Sequence, residues 1–168
     1  TRRAPKEVRF SKAPSREVEF LSADAVAAII GSAAGDAREH ALLSLLYDSG
    51  ARVSEICDAA RSDVRLKAHA TIRLMGKGAK VRVVPLCRQV SEIVGRYMNR
   101  YAGDPEEPLF KNRSGKPIGR AGIAWILSKH ANAAREANPE LVPSGVHPHT
   151  LRHSKAVHLS ILDRKSVV

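Results

Sequence analysis

The sequence predicts a mainly α-helical domain carrying one small antiparallel β-sheet, an α+β fold. Three observations lead there. Most of the chain repeats its apolar residues every three or four positions, as helices with one buried face do. One stretch, residues 70–85, switches to alternation around a glycine turn. No second switch follows, so the strands belong to the first half and helices return after them. Of the 168 residues, 43% are hydrophobic and 27% charged, which suits one packed domain and excludes a disordered basic tail.

The elements follow in order. Residues 1–18 hold Pro5 and Pro14 among Arg2, Arg3, Lys6, Arg9, Lys12 and Arg16 without a helical stripe, which predicts a basic linker or arm. Ser22 is a candidate N-cap, with Asp24 in the first turn and Val26, Ile29 and Ile30 as the apolar stripe up to Gly31. A second helix runs from about Arg38 to Ser49. Its Leu42, Leu43, Leu45, Leu46 and Tyr47 are apolar nearly all round, so it is expected at the centre, and Gly50 ends it. A short helix from about Val53 to Ala60 comes next. Ala70–Met75 and Val81–Pro85 read as strands around Gly76-Lys77-Gly78-Ala79-Lys80. Helices are expected over about 88–101, over 120–138 with Ile123, Trp125, Ile126 and Leu127, and from about Thr150 onward. Trp125 is expected in the core.

The charge points to a partner. Lys and Arg number 28 against 17 Asp and Glu, a net +11 with a pI near 10.2. A compact domain this basic is expected to bind a polyanion, with double-stranded DNA first. Only 4% of residues are aromatic, which argues against modules that stack single-stranded bases. Cys57 and Cys87 are too few for a disulfide scaffold or a paired-cysteine metal site, so a reducing, cytoplasmic setting is expected. No apolar run approaches the ~18 residues of a membrane span. The opening Thr-Arg-Arg-Ala-Pro-Lys has no apolar stretch behind it, so no signal peptide is expected.

Four residues could act together on a phosphate: Arg52 after Gly50, Lys77 in the glycine turn, and His149 and Arg152 opening the last helix. His149 and Arg152 are three apart and share a helix face. Arg presents a planar fork that fits two phosphate oxygens, His can hydrogen-bond or move a proton, and Lys on a turn can reach a leaving oxygen. Together they could cage a pentacoordinate phosphate. Each alone is ordinary: a lone Arg at a helix start is commonly solvated, and a Gly-Lys-Gly turn is commonly only a turn. His149 and His153, four apart, could hold a metal, but no Glu lies between them as in His-Glu-x-x-His, and no metal is expected.

The order of these features resembles the tyrosine recombinases of the phage-integrase family. Leu45-Leu46-Tyr47-Asp48-Ser49-Gly50-Ala51-Arg52-Val53-Ser54-Glu55-Ile56 is similar to the family's first signature. Met75–Leu86 resembles its lysine-bearing hairpin, and His147-Pro148-His149-Thr150-Leu151-Arg152-His153-Ser154 its His-x-x-Arg signature. Phe20-Leu21-Ser22 and Pro108-Leu109-Phe110 resemble further recurrent segments, so the likeness spans roughly 19–162. It implies a catalytic domain in which Arg52 and Arg152 clamp the scissile phosphate and Lys77 is the general acid towards the 5′-oxygen. His149 assists as acid, base or phosphate ligand, and Glu55 orients the site. Lys80, Arg82 and Lys155 are expected to contact DNA. The implied reaction is site-specific recombination or integration, by strand cleavage and rejoining through a 3′-phosphotyrosine. It needs no cofactor, because the covalent link conserves the phosphodiester energy.

The chain also departs from the family. The attacking tyrosine should follow His-x-x-Arg after a Leu-Gly-His-like segment, yet no Tyr and no such segment follows Arg152. Tyr47, Tyr97 and Tyr101 all lie upstream in unmatched contexts, so no nucleophile is assigned. The family's helical DNA-clamping domain is not expected within residues 1–18, which look like the linker from it. Residues 163–168, Asp-Arg-Lys-Ser-Val-Val, resemble the translation of a common sequencing adapter and are expected to be a non-native tail. The expectation is a catalytic domain incomplete at its C-terminus, binding DNA without cleaving it, monomeric in solution where the parent works as a tetramer on DNA. Two rival readings are a non-catalytic DNA-binding or regulatory module and a type IB topoisomerase-like enzyme.

Overall fold

A computed structural model describes residues 20–166. The basic arm expected over residues 1–18 lies outside the described residues, as do the last two residues of the expected tail.

Among the described residues there are six α-helices and three strands. They run α1 (Ala23–Ser32), α2 (Ala37–Ser49), α3 (Val53–Asp58), β1 (Val64–Arg65), β2 (Thr71–Met75), β3 (Val81–Pro85), α4 (Arg88–Arg100), α5 (Arg120–Ala137) and α6 (Pro148–Lys165). The sheet is antiparallel in the order β1-β2-β3, with Ile72 paired to Val84 and Met75 to Val81. The fold class is the predicted one. The strand β1 was not foreseen, because two residues are too few to show alternation.

Local chemistry sets the boundaries. The Ser22 side chain accepts from the Ala25 N–H, so it caps α1 as expected. Asp36 accepts from the Arg38 and Glu39 N–H groups and starts α2 at Ala37, one residue earlier than the expected Arg38. α3 stops at Asp58, short of the expected Ala60. There the backbone turns extended and is claimed by the 107–109 segment, with Leu109 donating to the Ala59 carbonyl and Arg61 to that of Glu107. α6 begins at Pro148, in the first helical position, where the missing N–H costs nothing.

The centre is α2, whose Leu42, Leu43, Leu45 and Leu46 are fully buried. Ile29 of α1, Val94 of α4, Ile123 and Leu127 of α5 and Leu151 of α6 close around it, and Ile72 and Leu74 add the inner sheet face. Glu39 is also buried on α2. Its Oε2 accepts from His130 Nε2 and from Lys129 Nζ, each at 2.6 Å, so a charge in the helical core is paired from α5.

Trp125 is not in the core. It is 59% exposed, with the Lys129 ammonium 5.2 Å from its ring centre. The reason is angular: Ile123, Ile126, Leu127, His130, Ala131 and Ala134 form one buried arc of α5, and position 125 falls opposite it.

Candidate active site where α2, the hairpin and α6 meet

Gly50 closes α2 with φ 60°, a left-handed turn that glycine adopts without strain. Two residues on, Arg52 sits in extended backbone as the N-cap of α3. Its N–H donates to Glu55 Oε2 at 2.7 Å, and its half-exposed guanidinium lies 3.6 Å from Glu55 Oε1.

Glu55 is the buried hub, its side chain only 2% exposed. Arg82 reaches it from β3, donating from Nη2 to Oε2 at 2.6 Å. The alternation of β3 explains this: Arg82 pairs with buried Leu74 and so points inward, while Val81 and Val83 point out. Burial alone pushes the Glu55 carboxyl up. The Arg52 N–H and the Arg82 guanidinium more than reverse that, so its pKa is lowered.

The hairpin passes close by. A Cβ on Gly76 would stand 3.3 Å from Glu55 Oε1. The next residue, Lys77, opens an exposed 3-10 turn in which Gly78 has φ 73° and Ala79 φ 56°. Lys77 is thus carried beside the Glu55 hub with its ammonium in solvent.

The third part is α6. His149 is exposed in its first turn, one turn before Arg152 on the same face. Arg152 is half-buried and donates from Nη1 to the Gly50 carbonyl at 2.6 Å. Burial lowers its pKa, and Arg52 and Arg82 lower it further against the opposing pull of Glu55. It stays cationic at any ordinary pH. Three guanidinium groups therefore share one electrostatic neighbourhood with a single carboxylate. The surplus of donors suits an anion with several oxygens, such as a phosphodiester.

The base of α6 is pinned to the start of the domain. The Leu21 N–H donates to Ser154 Oγ at 2.8 Å, and His158 Nε2 donates to the Leu21 carbonyl at 2.9 Å. His158 Nδ1 is then the acceptor for the Tyr47 hydroxyl at 2.5 Å.

The structure brings Arg52, Glu55 and Arg152 together and sets Lys77 and His149 at the rim. Lys80 is exposed beyond the hairpin turn. Lys155 has an internal partner: its ammonium is 3.2 Å from Asp48 Oδ1 and 5.1 Å from the Tyr47 ring centre. Two features were missed from sequence. One is the Arg82–Glu55 pair, for which strand alternation held the signal. The other is the Gly50 carbonyl, a backbone group that no residue type advertises. Of the tyrosines, Tyr47 is held by His158, and Tyr97 is buried and donates to the Leu109 carbonyl.

Fold and site together describe a mainly helical domain that gathers three guanidinium groups around one buried carboxylate. The chain belongs to the phage integrase family, whose family model matches residues 19–161. It is 34% identical to the tyrosine recombinase XerD of Bifidobacterium longum (strain NCC 2705) over 169 residues, covering 90% of this chain and 53% of that protein. With the tyrosine recombinase XerC of Bacillus subtilis (strain 168) it shares 39% over 129 residues, 73% of this chain and 40% of the relative. The crystal structure of XerA recombinase superposes with a TM-score of 0.71 at 25% identity, over 83% of this chain and 50% of that one. The lambda integrase catalytic core gives 0.59 at 18%, over 82% and 80%, a likeness of fold. The chain spans about half the length of the first of these relatives or less.

Proposed function

We propose that this chain supplies the phosphate-clamping half of a site-specific DNA breaking and rejoining site. Arg52 and Arg152 grip the non-bridging oxygens of a scissile phosphodiester, and Lys77 protonates the departing 5′-oxygen. His149 adds a hydrogen bond or a proton, and Glu55 holds Arg52 in place. The tie from Arg152 to the Gly50 carbonyl carries this reading, because it sets the two arginines of separate signatures beside one another. Arg82 supports the cage through Glu55. Lys80, and Lys155 where its pairing with Asp48 leaves it free, meet the flanking backbone. DNA as partner is supported by XerH, a recombinase solved bound to its difH substrate, at 24% identity.

The attacking tyrosine comes from none of the three tyrosines here. This chain then binds duplex DNA in the cytoplasm of a bacterial host without cutting it, as a monomer in solution. The site calls for no cofactor, since the phosphotyrosine link would conserve the bond energy.

A fluorescence titration with duplex DNA, paired with a denaturing gel after incubation with a nicked suicide duplex, tests this. The expected result is a Kd of about 1–100 μM that weakens steeply with salt, and no covalent band. A covalent band overturns the cleavage-incompetent reading, and salt-independent or absent binding overturns the clamp.

A further inference from the structure

A second concentration of positive charge lies at the opposite pole of the domain. It is a cleft of about 450 Å³ between the N-terminal end of α2, the C-terminal end of α4 and the 107–113 loop. Arg38, Arg61, Lys111 and Arg113 line it against one carboxylate, Glu107. Arg38 stands at the start of α2 and Arg52 just beyond its end, about 18 Å apart along the axis at 1.5 Å per residue, and the cleft shares no lining residue with the catalytic cluster. The two sites are separate.

Its arginines are held in place but not neutralised. Arg61 is 9% exposed and donates from Nη2 to the Met98 carbonyl at 2.9 Å. Arg38 donates from Nε to the Lys111 carbonyl at 3.0 Å, and among the described residues its two terminal nitrogens make no hydrogen bond. Among the described residues, Arg38, Arg61 and Arg113 form no ion pair. Glu107 is already engaged by Lys111 at 2.7 Å. A buried cation hydrogen-bonded only to a carbonyl, its nearby carboxylate Glu107 already engaged by Lys111, is costly to keep, and gathering other cations beside it raises that cost.

We propose that this cleft binds a compact polyphosphate, of the kind carried by a nucleoside di- or triphosphate. Charge and size both select it. Four cations against one carboxylate leave a surplus that a single carboxylate would not balance, whereas two or three linked phosphates do. The volume is that of a small-ligand site, in the range of about 300–1,000 Å³, and too confined for a duplex. Half-exposed Tyr101 forms an apolar wall on which a base can lie. The proposal does not rest on the DNA-cleavage reading.

Calorimetric titration of the whole chain tests it, with pyrophosphate, adenosine diphosphate and an oligo-glutamate peptide as probes. In a background carrying Arg52→Ala, which disables the catalytic clamp, pyrophosphate and the nucleotide are expected still to bind at one site. In that background Arg38→Gln and Arg113→Gln, both at the rim, each weaken binding about tenfold. A tighter Kd for the nucleotide than for pyrophosphate assigns Tyr101 a base, and equal values assign the site to polyphosphate alone. Tighter binding of the peptide, loss of binding in Arg52→Ala, or no binding of either phosphate probe overturns the proposal.

Discussion

The Arg152 guanidinium donates to the Gly50 carbonyl at 2.6 Å and so fastens the first turns of α6 to the end of α2, 102 residues earlier in the chain. This one bond joins the two segments that carry the arginines. It is made by one arm of the fork, so the other nitrogens remain for an anion.

Arg152→Lys separates charge from fork. A lysine keeps the positive charge but has one nitrogen, which can serve the Gly50 carbonyl or a phosphate and not both at full strength. The expected loss of stability is about 1 kcal/mol, read by urea denaturation. The salt dependence of DNA binding should hold its slope in Arg152→Lys and fall by about one in Arg152→Ala.

Glu55 makes the site sensitive to acid. Its folded pKa lies below the ordinary value of 4.5, so its contribution to stability is present above that value and lost as pH falls through the folded pKa. In Glu55→Gln that part of the pH dependence should vanish. The variant should be less stable by about 1–3 kcal/mol at pH 7, and its stability should change less than the parent's between pH 5 and pH 3. Thermal melts across that range measure both. An unchanged acid limb would remove Glu55 as its origin.

The helices and the hairpin were readable because period and punctuation agreed. Ser22, Gly50 and the Gly76–Lys80 turn each marked a boundary that apolar spacing already suggested. The candidate site residues Arg52, Lys77, His149 and Arg152 could be proposed from sequence because each stands in a recognisable local context. What stayed hidden depends on contacts between distant segments. β1 exists only because Val64 and Arg65 meet Ile72 and Thr71. Trp125 looked like core by residue type, although its angle on α5 turns it outward. Lys155 looked like a free cation until Asp48, 107 residues away, was found beside it.

Gly50→Ala tests the turn that carries both signatures. A Cβ there would meet Lys155 Cγ at 3.6 Å, an ordinary contact, so space is not the obstacle. The cost is the backbone, since φ 60° disfavours any L side chain. The expected loss is about 1 kcal/mol. A relaxed turn would also move the carbonyl that Arg152 holds, so Gly50→Ala and Arg152→Lys should be less than additive. A double-mutant cycle reads the coupling, and full additivity would mean that the turn and the tie are independent.

Glu39 tests the pairing inside the core, away from both proposed anion sites. Burial pushes its carboxyl up, and hydrogen bonds from Lys129 and His130 reverse the shift and lower the pKa. Removing the carboxylate leaves His130, itself 7% exposed, without its Nε2 partner and Lys129 without its counterion. Glu39→Ala should therefore cost about 3 kcal/mol, more than Glu39→Gln, which keeps the shape and one acceptor. His130 Nδ1 lies 3.1 Å from Ser32 Oγ, so α1 loosens with it. Denaturation should show the loss. Amide exchange should rise at the C-terminal turn of α1 and along α5 while the Arg152–Gly50 end of the domain keeps its protection. Equal deprotection at both ends would show instead that the domain opens as one unit.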